Sequence, residues 1–144
     1  MSPPRCIVVG MDGSDCARRA LRWALDLAAA VDAEVVAVHA LGLLSHLAAA
    51  TVPSEPQRQA VARVFEQEWC APLHDGDVRG RCLLVDGNPV TALLTAVEEH
   101  GADLVVVGSR GHGGFAGLQL GSTSHQLVQH SVTPVVVVPP DGGR

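Results

Sequence analysis

Glycines, hydroxyls and a cation fall at a spacing that could hold a phosphate. Gly108-Ser109-Arg110-Gly111 is followed, after nine intervening residues, by Gly121-Ser122-Thr123-Ser124. Glycine admits backbone conformations and close ligand approaches that a Cβ forbids. Free N–H groups at the start of a helix, with hydroxyls beside them, attract anions. The stretch therefore reads as a cradle for nucleotide phosphate, with Arg110 and a protonated His112 as the nearby cations. Glycine-rich turns after buried strands are also ordinary connectors, so the loop alone leaves both readings open.

The pattern is neither of the two familiar phosphate loops. No lysine follows the glycines, so the Walker A spacing is missing, and the turn Gly10-Met11-Asp12-Gly13-Ser14 lacks G-x-G-x-x-G. Neutralising a triphosphate here would need backbone N–H groups and a divalent metal. Asp12 could accept a ribose hydroxyl, hold a metal-bound water, or serve only as a turn aspartate.

Alternating elements must position these residues. Cys6–Gly10 reads as a short apolar strand, and Ser14 or Asp15 can cap a helix to about Val31, apolar on one face. Glu34–Ala40 is a second strand. Leu41–Gln57 is irregular, with Pro53 and Pro56, and a helix is expected from about Gln57 to Leu73, with Val61, Val64, Phe65 and Trp69 spaced for burial. Arg81–Val85 is a third strand, and Pro89 opens a helix to about His100 with Gly101 as its C-cap. Asp103–Val107 forms strand four, Gly121 to about His130 a fourth helix, and Pro134–Val138 strand five.

This β-α alternation predicts one α/β domain over residues 1–144, with a mostly parallel sheet covered on both faces. The order would be 3-2-1-4-5 or 2-1-3-4-5. In the first, strands one and four are neighbours whose following connections diverge, so Asp12 and Gly108 would line one crevice at their carboxyl ends.

Composition narrows the partners. The 144 residues are 47% apolar and 3% aromatic, which suits Val/Leu/Ala layers. A net charge of −5 argues against a broad nucleic-acid footprint. Cys6, Cys16, Cys70 and Cys82 contain no C-x-x-C and read as free thiols. Cys70 and His74 have the i, i+4 spacing of a helical metal pair, a weak signal for which packing is the better reading. No secretory h-region or membrane-spanning stretch is evident, so a cytoplasmic protein is expected.

The long glycine motif, Gly108-x-x-Gly111 then Gly121-Ser122, resembles the ATP-binding motif of universal stress proteins. Val8-Val9-Gly10-Met11-Asp12-Gly13-Ser14, Val36-Ala37-Val38-His39-Ala40, Gly87-Asn88-Pro89 and Thr133–Val138 are similar to that family as well. Only about Leu41–Pro56 lacks a counterpart. The resemblance implies the 3-2-1-4-5 order and an ATP site between strands one and four, with Mg²⁺ or Mn²⁺ as the accompanying ion. Carried over by residue, Asp12 lies near the ribose and adenine, and Ala40 meets the adenine through its backbone. Val107 and Gly108 line the adenosine, while Gly111, Gly121, Ser122 and Thr123 meet the phosphates. Gly10, Met11, Arg110, His112 and Ser124 complete the expected cofactor-binding set.

No catalytic constellation is legible. Ser109 faintly resembles a nucleophile elbow, but Val107 stands where G-x-S-x-G requires glycine. His39, His100, His125 and His130 occupy ordinary strand or helix positions. Strand five, Val135–Val138, is a charge-free edge in the order the resemblance implies, and pairing with a second copy would cover it. The expected function is an ATP-binding, homodimeric stress regulator. The alternatives are a nucleotide-independent interaction dimer and a small α/β hydrolase with slow ATPase activity.

Overall fold

The computed structural model describes residues 2–42, 44–46, 49–51, 54–110 and 120–141. Strand β1 (Cys6–Gly10) pairs in parallel with β2 (Glu34–Ala40) on one side and with β6 (Leu104–Gly108) on the other. Beyond them lie β5 (Gly80–Val85), parallel to β2, and β7 (Val135–Val138), parallel to β6. The sheet order β5-β2-β1-β6-β7 is the 3-2-1-4-5 arrangement. Central strands read as continuous Val/Ile runs because helices bury both their faces.

Alternate residues of each strand feed two cores. On one face α1 (Asp15–Val31) lays Ala17, Ala20, Leu21 and Ala24 on Ile7, Val9 and Val106. On the other, α4 (Pro89–His100) and α5 (Ser122–His130) set Leu93 and Leu127 against Val8, Val36 and Val107. Asp32, in the left-handed conformation at φ 58°, ends α1, and Gly101 ends α4 in the same way at φ 61°. Among the described residues no helix is long and apolar enough to cross a membrane.

Two expectations are corrected. The segment after β2 holds a short antiparallel pair, β3 (Leu44–His46) with β4 (Ala49–Thr51). The helix expected over Gln57–Leu73 is three pieces: α2 (Glu55–Val64), a π-helical turn at Phe65–Trp69, and α3 (Ala71–Asp75). A capping box between Ser54 and Gln57 starts α2 two residues earlier than the apolar spacing does. In the π turn the Cys70 N–H donates to the Phe65 carbonyl at 3.0 Å and these two residues, five apart, are both buried, while Val64, expected inside, lies just before the turn and is exposed. The remaining ends move by a single residue: β5 begins at Gly80, β6 spans Leu104–Gly108, and Gly121 caps α5.

Candidate functional site

The carboxyl ends of β1 and β6 lie side by side, and their chains leave toward opposite faces of the sheet. That divergence opens a crevice, the usual ligand position of a parallel α/β sheet. Gly10 closes β1 opposite Val38, and the Met11 N–H donates to the Val38 carbonyl at 2.8 Å, so the turn stays anchored to β2. Met11 is buried, whereas Asp12 is half-buried. Asp12 Oδ1 accepts from the Ser14 N–H at 2.9 Å and from the Ser14 hydroxyl. Ser14 Oγ in turn accepts from Ala17 N–H at 3.1 Å and caps α1. Both of these bonds fall on Asp12 Oδ1; among the described residues none is made by Oδ2.

Gly13 completes this turn at φ 81°, and a Cβ placed there would stand 2.4 Å from the Trp69 indole. Across the crevice, Gly108 lies against the first turn of α1: a Cβ would meet the Cys16 carbonyl carbon at 2.8 Å and Ala17 N at 3.0 Å. Glycine here is thus required for strand–helix approach, whatever a ligand asks of it. Val107 is buried on the opposite side, beside Gly10 and against Leu93 of α4. Ala40 ends β2 in register with Val85 and packs at the margin of that same core.

Ser109 fastens the glycine segment to its neighbours. Its N–H donates to Val138 O at 2.8 Å, and its carbonyl accepts from Gly121 N–H at 2.5 Å. Ser124 is buried, with its hydroxyl 3.2 Å from Ser109 O and 3.1 Å from Gly121 O. Ser124 therefore ties α5 to the end of β6 from beneath, while Ser122 is exposed and Thr123 half-exposed at the open helix start. Arg110 is exposed beside them. Gly111 and His112 lie outside the described residues. The described partner of Ser109 Oγ is the Cys16 thiol at 3.6 Å, not an imidazole, so the nucleophile-elbow resemblance finds no general base there. Among the described residues no group of three or more His, Cys, Asp or Glu could hold a metal ion.

One neighbour of the crevice escapes sequence reasoning. His39, in the penultimate position of β2, packs under the Asp12 turn, with Nδ1 2.7 Å from Met11 O. Its ring meets Trp69 edge-on at 4.9 Å and Phe65 at 5.7 Å. Burial lowers its pKa, opposed by the bond to Met11 and by the charge of Asp12. Strand alternation places His39 on the α1 face, but nothing local in sequence brings Trp69 to it.

The chain matches the family model described as the universal stress protein family over residues 4–139. It is 33% identical over 134 residues to a universal stress protein of Thermus aquaticus, covering 93% of this chain and 98% of that one. A universal stress protein of Bacillus subtilis is 30% identical over 143 residues, covering 92% and 97%. Among solved structures, a universal stress protein in complex with cAMP superimposes with a TM-score of 0.74 at 30% identity, covering 96% of this chain and 98% of that one.

Proposed function

We propose that this chain, which belongs to the universal stress protein family, binds an adenine nucleotide in the crevice between β1 and β6. The observation that carries this reading is its likeness, along nearly the full length of both chains, to the family member solved with cAMP. The local geometry agrees in kind: a half-buried carboxylate and the open start of α5 face a crevice floored by glycines.

In this reading Asp12 Oδ2 accepts from the ribose, and the Ala40 backbone meets the base. Val107 and Gly108 line the nucleoside beside Gly10 and Met11. Gly111, Gly121, Ser122 and Thr123 receive the phosphates, with Arg110 and His112 adding positive charge. Ser109 and Ser124 position the phosphate segment. We take the nucleotide to be ATP, entering with Mg²⁺ or Mn²⁺ on its phosphate oxygens, and the protein to act as a cytoplasmic regulator whose ligand sets its state. Edge strand β7, with Val135–Val137 only half-buried, would pair with the same strand of a second copy.

The test is a pair of variants, Gly111→Val and Gly121→Leu, titrated with ATP/Mg²⁺, AMP and cAMP. Both should lose nucleotide affinity while retaining the far-ultraviolet circular dichroism of the parent. Parental affinity in both would overturn the site.

A further inference from the structure

The turn that carries Asp12 is gripped by two consecutive residues of β2. Strand β1 ends in register at Gly10 opposite Val38, and the Met11 N–H still donates to the Val38 carbonyl at 2.8 Å. The next peptide group, from Met11 to Asp12, is held by a side chain: the Met11 carbonyl oxygen lies 2.7 Å from His39 Nδ1. A carbonyl only accepts, so Nδ1 carries the proton and donates, which fixes the tautomer of the neutral ring.

Aromatic packing keeps that ring in place. Trp69 stands edge-on to it at 4.9 Å with an interplanar angle of 87°, and Phe65 leans on it at 5.7 Å. These two rings meet each other at 6.0 Å, and Phe65 is buried in the core on the α1 face. Trp69 also occupies the space beside Gly13, whose φ of 81° completes the turn. The turn is therefore held at Met11 by β2 and at Gly13 by the π turn, with Asp12 between the two anchors. Asp12 Oδ1 accepts from the Ser14 N–H at 2.9 Å, and the Asp12 backbone starts from the peptide that His39 holds. Hydrogen bonds weaken steeply with misalignment, so an acceptor fixed in advance binds more tightly than one that must first be ordered.

We propose that His39 is a positioning residue of the nucleotide site: its Nδ1–H holds the Met11 carbonyl and so sets where the Asp12 carboxylate meets the ribose. This inference rests on the adenine-nucleotide reading given above. His39 acts on the ligand only through the turn, so its effect must pass through Asp12 and must be shared by every nucleotide with the same sugar.

The test compares the folded full chain with His39→Phe and His39→Asn by calorimetric titration with ATP/Mg²⁺, AMP and cAMP. His39→Phe keeps a flat ring against Trp69 but has no donor, and it should weaken all three nucleotides by roughly three- to tenfold. His39→Asn offers an amide N–H to the same carbonyl and should recover most of that loss. In an Asp12→Ala background, His39→Phe should change affinity by less than about twofold, because the group it positions is gone. Parental affinity in His39→Phe would overturn the inference and leave the nucleotide site standing. So would an Asn variant no better than Phe, or an undiminished Phe effect in the Asp12→Ala background. A parent chain that binds none of the three nucleotides removes the site and this inference together. A further measurement needs neither variant nor nucleotide: ¹⁵N NMR of the parent's histidine rings in mildly alkaline buffer. His39 should carry its proton on Nδ1, and a neutral ring protonated on Nε2 would overturn the proposal however the variants fold.

Discussion

His39 Nδ1 lies 2.7 Å from the carbonyl oxygen of Met11, so the end of β2 holds the turn that carries Asp12. Trp69 joins them, edge-on to His39 at 4.9 Å and filling the space beside Gly13. The candidate nucleotide turn is thus braced by residues that reach it from β2 and from the π turn.

Acid should loosen this brace. Burial lowers the His39 pKa below its ordinary 6.5. Between the depressed folded value and the unfolded one, the unfolded chain binds more protons, so stability is full above 6.5 and declines as pH falls through that window. His39→Asn keeps a donor for Met11 O and removes the titration. Denaturant unfolding should show stability falling less steeply below pH 6.5 in the variant, by up to about 1.4 kcal/mol per pH unit. Parallel profiles would contradict the assignment.

Gly13→Ala should destabilise through two causes. Its φ of 81° disfavours any Cβ, and the Trp69 indole occupies the space the methyl needs. The backbone cost alone is about 1–2 kcal/mol. The check is the urea midpoint together with Trp fluorescence, since Trp69 must move. A change under about 0.5 kcal/mol would contradict this packing.

Gly108→Ala places a methyl against the backbone of Cys16 and Ala17, which cannot yield as a flexible side chain can. Overpacking of this kind costs about 1–3 kcal/mol. The same shift would move the first turn of α1 from the crevice, so thermal unfolding and nucleotide titration should both report a loss.

Asp12→Ala separates ligand contact from turn structure when set beside Ser14→Ala. Removing the cap at Ser14 should cost about 1 kcal/mol of stability. Removing Asp12 also deletes the charged acceptor offered to the ribose, which should weaken nucleotide binding by roughly tenfold or more. Equal affinities of Asp12→Ala and the parent by calorimetry would remove Asp12 from the site.

The strands were legible because central parallel strands must be apolar on both faces, and Cys6–Gly10 and Leu104–Gly108 are bounded by turn residues. The junction of Asp12 with Gly108 followed from strand order, which the crossover rules and the family resemblance narrowed. The π turn was not legible, because a single residue added to a helical repeat leaves Val61, Val64 and Trp69 looking like one stripe. The roles of His39 and Gly108 were hidden for another reason. Alternation tells which face a residue takes, but Trp69 and the start of α1 reach them only through tertiary packing.

The most direct test of the central claim is to unfold the protein as purified and identify any released nucleotide by mass spectrometry. The stripped, refolded chain would then be titrated with ATP/Mg²⁺, AMP and cAMP by calorimetry. The account predicts saturable binding of an adenine nucleotide, lost in Gly111→Val. A chain that releases no nucleotide and gives no heat with any of the three would contradict it, leaving the glycine segment as a connector between β6 and α5.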